Sequence, residues 1–375
     1  MAALLATKIA SSRTRVVLET DSCTTMEALT TWRQRQEDTG YIMQENAALI
    51  QATIANLRKR TAHTLFRWVK GHDGHHRNEE ADKLAGIGAT KATGDQLPEA
   101  IPDRYRVTGA RLQAMTQKLA YRAIRNRKDR LVSPRPRATA NLDRITSGAK
   151  DAFGIQLRDE TIWTSFRKKH VSRQISQFLW MAVHDGYMIG SHWLRTNMPT
   201  DLQARAACKI CGECETMTHI IFECGAIGRE VIWGLLRDTW AHTKAKWHEP
   251  IWGTTFGAAC AVFVTSEGAR RTATESLWCI LSTEALHLIW KLRCERVIQR
   301  DGEQFTVAEV VNRYYTTINA RLNLDRRTAA IARGKKALNP PEIERIWLPI
   351  IEKGHELPPR WVLDSGVLVG IKRGK

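Results

Sequence analysis

The chain lacks any apolar run long enough to cross a bilayer. Its most apolar stretch, residues 277–292, carries Glu284, His287 and Lys291, whereas a membrane span needs about twenty mostly apolar residues. A buried helix is expected there, and no membrane partner. Acidic charge is also scarce: 39 Asp and Glu stand against 57 Lys and Arg, leaving a net charge of +18 and a pI of 9.8. Such a balance favours nucleic acid or another anionic surface as partner. No secretory leader is visible, because residues 1–10 run quickly into polar sequence. An intracellular location, nucleus or cytoplasm, is expected. There is no visible internal repeat.

At 375 residues, 43% of them hydrophobic, the chain can hold two or three domains with a sizeable core. Its eight cysteines are unevenly placed, and Cys208, Cys211, Cys214 and Cys224 fall close together. With His219 they give C-x2-C-x7-H-x4-C, a spacing that points to metal in a reducing compartment rather than to disulfides. Cys208, Cys211, His219 and Cys224 supply four ligands for tetrahedral Zn2+, with Cys214 as a possible substitute. Four protein ligands leave no open position, so the zinc would be structural.

Alternating strands and helices open the chain. Residues 1–10 read as a short helix, 15–20 as a strand, 25–32 as a helix, and 45–58 as an amphipathic helix with Leu49, Ile50, Ile54 and Leu57 at helical spacing. Residues 64–69, rich in aromatic and apolar side chains, suit a buried strand. After a Gly/His loop, Asn78 stands where an N-cap is expected, with Glu79 and Glu80 suiting the helix dipole. Ala81, Leu84, Ala85 and Gly88 form a small-residue face suited to packing on a sheet. Residues 91–103 read as a linker and 105–130 as a basic helix with Leu112, Met115, Leu119 and Ile124 along one side. Residues 93–150 carry an excess of eight positive charges, which suits an arm that tracks phosphates. Helices follow at 159–193, 227–240, 272–300 and 306–326, with Phe166, Ile175, Phe178, Leu179, Met181, Leu281, Leu286 and Trp290 as core candidates. Short strand-like runs at 361–363 and 367–371 close the chain.

Residues 68–90, WVKGHDGHHRNEEADKLAGIGAT, resemble the C-terminal part of type 1 ribonucleases H, whose signature is W-V-x-G-H followed by N-E-x-A-D on a helix. RVVLETDS at 15–22 resembles that family's central strand, which ends in a catalytic aspartate. The resemblance implies an α/β ribonuclease H-like domain with a mixed sheet, its first strands missing. It also implies cleavage of the RNA strand of an RNA–DNA hybrid. Such hydrolysis needs an activated water and neutralised charge on the leaving oxygen. Two Mg2+ ions roughly 3.5–4 Å apart, held by carboxylates, supply both. Asp21 and Asp82, the latter on the first turn of its helix, match two of the family's carboxylates. His72 matches the loop histidine that helps activate water or release product, and Lys70 and Arg77 would hold phosphates. The family uses four carboxylates, and laid beside its pattern the other two would fall upstream of Met1. The chain therefore reads as N-terminally truncated relative to the family.

The cysteine segment resembles the zinc-binding region downstream of reverse transcriptase in non-LTR retroelements, where C-x2-C is followed by E-T, then His and a last Cys. Here Glu215-Thr216, His219 and Cys224 keep that order; no polymerase motif is visible. The expected domains are a partial ribonuclease H-like domain at 1–92, a basic linker and helical arm at 93–150, a mainly α-helical zinc-binding region at 151–245, and a helical C-terminal region at 246–375. Two functions remain open: a hybrid ribonuclease from a retroelement polyprotein, or a catalytically dead remnant that binds nucleic acid. The oligomeric state is open as well.

Overall fold

The computed structural model describes residues 2–71, 73–92, 101–331 and 339–374, with only the backbone at Arg130. The chain divides into two compact units, Met1–Ser133 and Pro134–Lys375.

In the first unit α1 (Ala2–Ile9) leads to β1 (Val16–Thr20), followed by α2 (Cys23–Leu29), α3 (Arg33–Asp38), α4 (Ala47–Lys59), β2 (Thr64–Trp68), α5 (His76–Ala89) and α6 (Gln117–Leu131). Among the described residues the sheet is this one parallel pair, with Val17 opposite Leu65, Leu18 opposite Phe66 and Glu19 opposite Arg67. Side chains alternate faces along each strand. Phe66 turns to a small core of Leu29, Tyr41 and Ile54, while Val17 and Leu65 remain more than 40% exposed on the other face. Glu19 and Arg67 share that open face and pair at 2.9 Å.

Three local expectations are corrected here. The helix expected at 25–32 ends early, at Leu29, and the chain turns before a separate short helix begins at Arg33. The small-residue face of α5 is solvent-exposed, as are Leu84 and Ile87. The basic helix starts at Gln117, where Thr116 caps it by accepting the Leu119 N–H at 3.1 Å. Its apolar side is only partly covered: Leu119 is half-buried and Ile124 is exposed, while Leu112 lies outside the helix and is exposed.

The second unit holds α7 (Pro136–Phe153), α8 (Asp159–Ser165), α9 (Arg173–Val183), α10 (Thr200–Gln203), a π-helical turn at His219–Glu223, α11 (Ile227–Ala241), α12 (Trp252–Thr255), α13 (Thr272–Ile298), α14 (Val307–Ile331) and α15 (Pro340–Trp347). One core runs through it from Leu142 to Ile371. It therefore joins residues of the expected basic arm, zinc region and C-terminal region. Pro136 at the start of α7 and Gly154 in left-handed conformation at its end bound that helix. Its buried Leu142 and Ile145 face the core, so this part of the basic segment is packed.

Helix α13 is buried on nearly every side. Among the described residues no helix is long and apolar enough to cross a membrane. The Glu284 carboxylate of α13 is matched inside the protein: it accepts from Arg321 of α14 at 3.3 Å, Arg321 also donates to Asp325 at 3.0 Å and to the His170 carbonyl at 2.9 Å, and the Trp347 indole donates to Asp325 at 3.1 Å. Burial pushes both carboxyls up and the Arg321 guanidinium opposes it. Of the strand-like runs of the tail, 361–363 is a turn and 367–371 is irregular up to its last residue, both tied down where Arg326 donates to the carbonyls of Trp361 (2.7 Å), Asp364 (2.5 Å) and Val367 (3.1 Å). A lone bridge joins Ile351 to Ile371.

Replacing Arg321 by Met strands two buried carboxyls and is expected to cost about 3–5 kcal/mol near neutral pH, read by urea unfolding; a loss under about 1 kcal/mol would refute the network's importance. Burial lowers His170 and His287 to about 4 from the usual 6.5. Between those values the unfolded chain binds the protons first, so stability is expected to fall as pH drops from 6.5 toward 4, by on the order of 3 kcal/mol per histidine. In His287→Gln the decline over that window should be visibly shallower.

Candidate functional site

Asp21 follows the last residue of β1 and is half-buried. Its carboxylate Oδ2 accepts from the side-chain amide of Asn78 at 3.1 Å, and its carbonyl accepts from the Trp68 indole at 3.2 Å. Gly71 packs against it so closely that a Cβ there would lie 2.7 Å from Oδ2, which explains the glycine of the loop. The loop turns at Gly74, with φ +75.

Asn78 is therefore not the N-cap. That position belongs to His75, which makes no side-chain cap bond, and Asn78 is buried in the first turn of α5 holding Asp21. Asp82 lies in the second turn rather than the first. It is exposed and stands one helical turn beyond Asn78 on the same face. Glu19 is committed elsewhere, to Arg67 and, at 3.6 Å, to His75. Lys70 is exposed and pairs with Asp73 at 3.4 Å; Arg77 is exposed. His72 lies outside the described residues.

In the second unit the structure brings Cys208, Cys211, His219 and Cys224 together, with their ligand atoms within 4.8 Å of one another. The Cys208 and Cys211 sulfurs lie 3.7 and 3.9 Å from that of Cys224. Cys214 is outside this group. The loop from Cys208 turns back through Gly212, whose N–H donates to the Cys208 carbonyl at 2.8 Å, and the Gly225 N–H donates to Cys211 Sγ at 3.2 Å. His219 Nε2 is buried with no hydrogen-bond partner among the described residues, a costly state for a polar atom unless something binds it. Burial pushes the Cys224 thiol up to about 11, an effect that coordination to a cation reverses. Three sulfurs and one imidazole with an orphaned ring nitrogen fit a tetrahedral zinc ion.

The neighbouring Glu215 and Thr216 have distinct structural work. Thr216 accepts the His219 N–H at 2.9 Å and so starts the turn that carries the histidine. Glu215 is buried and paired with Arg293 of α13, docking the cysteine loop on the core. Composition gave no sign of either partner.

Residues 1–90 match the sequence model of the RNase H family. Ribonuclease H of Hahella chejuensis is 36% identical over 101 residues, 25% of this chain and 66% of that protein. Ribonuclease H of Caulobacter sp. strain K31 is 32% identical over 99 residues, 26% and 64% respectively, and that of Vibrio cholerae strain M66-2 is 36% identical over 104 residues, 26% and 64%. The first ninety residues carry a ribonuclease H domain. The chain spans just under two thirds of the length of these relatives. No solved structure matches it.

The ribonuclease H segment includes β1, the Gly71 loop and α5, so Asp21, Asn78 and Asp82 all fall within the family match. Asn78 and Gly71 are the residues whose contribution sequence reasoning missed; the signal was present in the asparagine of N-E-x-A-D and the glycine of W-V-x-G-H.

Purified protein is expected to carry one zinc ion per chain by metal analysis. Cys208→Ser or His219→Ala should release it and lower the melting temperature, since binding of a structural metal contributes to folding free energy; Cys214→Ser should retain it. Retention of zinc by both Cys208→Ser and His219→Ala would exclude this ligand set.

Proposed function

We propose that residues 1–90 act as a ribonuclease H-type hydrolase on RNA–DNA hybrids, and that the cysteine–histidine cluster holds a structural zinc ion in the helical unit of a chain derived from a retroelement polyprotein. The family match over residues 1–90 carries the first part of this reading. It is supported by Asp21, fixed at the strand end by Asn78 and shielded on one side by Gly71. Exposed Lys70 and Arg77 border the loop and supply charge for phosphates, while 2′-hydroxyls distinguish the RNA strand. The retroelement origin rests on the order of the cysteines, Glu215-Thr216 and His219.

Magnesium is the cation that the ribonuclease H resemblance implies. Among the described residues, however, only the cysteine–histidine group gathers three or more potential ligand side chains. Asp21 and Asp82 by themselves do not complete a magnesium cage. The same observation favours a second reading, hybrid binding without cleavage.

The deciding assay is cleavage of an end-labelled RNA–DNA hybrid with magnesium, beside Asp21→Asn and Asp82→Asn. The hydrolase reading expects cleavage that falls to background in Asp21→Asn. Binding of the hybrid with no cut product would reject it in favour of the second reading.

A further inference from the structure

Three adjoining depressions mark one side of the second unit. The first, about 220 Å³, lies between α7 and the 215–218 segment and is floored by Trp252. The second, about 550 Å³, lies between the start of α7 and the loop after α9. They share Arg137, Asp185 and His192. The third, also about 550 Å³, is lined by Met188, Trp193, Arg205 and Arg293. It adjoins the second at Met188 and the first at buried Glu215, and the first two, with three residues in common, form one groove.

Its charge is positive and only partly neutralised. Asp185 serves both Arg137, at 2.6 Å, and His192, at 3.0 Å. Glu215 is consumed by Arg293. Arg144 and Arg195 have no carboxylate partner among the described residues. Arg144 donates to Asn141 and Thr218 at 3.4 and 3.3 Å and lies 5.9 Å from the centre of the Trp252 ring. Arg195 is held against Nδ1 of buried His192. Asp185, His192 and Arg195 thus form a chain in which a buried imidazole, anchored by a carboxylate, fixes an exposed guanidinium at the groove. Held in place before a ligand arrives, such a cation gives up little entropy on binding.

We infer that this groove binds single-stranded nucleic acid, with Arg144 and Arg195 as phosphate contacts. Arg137 and Arg144 are seven residues apart on α7, hence on one face and about 10 Å apart along the axis. Cations spread along a groove match a repeating polyanion better than one small phosphate. The depressions between them are of a size for single bases, and Met188, 41% exposed, and Trp193 offer apolar and aromatic surface for unpaired bases. A duplex keeps its bases stacked and leaves those recesses unfilled. The inference rests on nucleic acid as the ligand class and is independent of cleavage by residues 1–90.

The test uses the full zinc-loaded chain and fluorescence anisotropy with a labelled single-stranded RNA, a single-stranded DNA and the RNA–DNA hybrid of the same sequence. Arg144→Ala/Arg195→Ala is expected to weaken single-strand binding about tenfold and to reduce the slope of log affinity against log salt by about 1.4, two phosphate contacts at about 0.7 each. Arg144→Lys/Arg195→Lys should retain most of that slope, and both should keep the zinc content and melting temperature of the parent. If the alanine pair melts early, Arg195→Gln alone is read for half the slope change. Unchanged affinity and slope would overturn the inference, as would an equal loss for hybrid and single strands. Asp21→Asn should abolish hybrid cleavage while leaving single-strand affinity unaltered, so the two readings fail separately.

Discussion

The second unit is organised by the need to bury α13 on nearly every side. A helix buried along most of its length must find an internal partner for each ionisable group on its buried faces, because a buried unpaired charge costs more than packing alone can return. Glu284 meets that demand by drawing on Arg321, which in turn fixes Asp325, and Asp325 receives the Trp347 indole. One glutamate therefore sets the register of α13, α14 and α15 against one another. At the other end of α13, Arg293 performs the same service for Glu215 and brings the cysteine loop to the core.

The first unit has a weaker foundation. Its buried apolar cluster is small, and one face of its parallel strand pair carries exposed Val17 and Leu65, although parallel sheets are normally covered on both faces. What is well defined there is local: a strand end, a glycine that permits close approach, and an asparagine that holds an aspartate. These are the features that the family signature encodes, and they persist over a short stretch of chain.

Legibility in the sequence followed the range of the interactions concerned. Helix α4, both strands and the buried nature of 277–292 were readable because periodicity and composition act within a few residues. The spacing of Cys208, Cys211, His219 and Cys224 was readable because tight loops enforce proximity, and the same locality separates Cys214 from the group. Asn78 is not the cap because its partner, Asp21, lies far away in sequence and receives the Asn78 Nδ2–H from inside the first turn of the helix. The faces of α5 and α6 were misjudged for the opposite reason: their apolar spacing predicts burial, but burial requires a neighbouring surface that periodicity does not supply. The tail runs resembled strands by composition, yet carbonyls drawn to Arg326 have no need of a ladder.

The contact between Gly190 and Glu215 links the groove to the cysteine cluster. Gly190 has φ +48, and a Cβ on it would lie 1.9 Å from the Glu215 carbonyl oxygen, so the two backbones touch with nothing between them. The loop bearing His192 therefore rests directly on the loop bearing the cysteines, like two plates riveted at one point. Any side chain at position 190 would push these two loops apart, so a single missing methyl group is what lets the groove and the cysteine loop share one backbone contact.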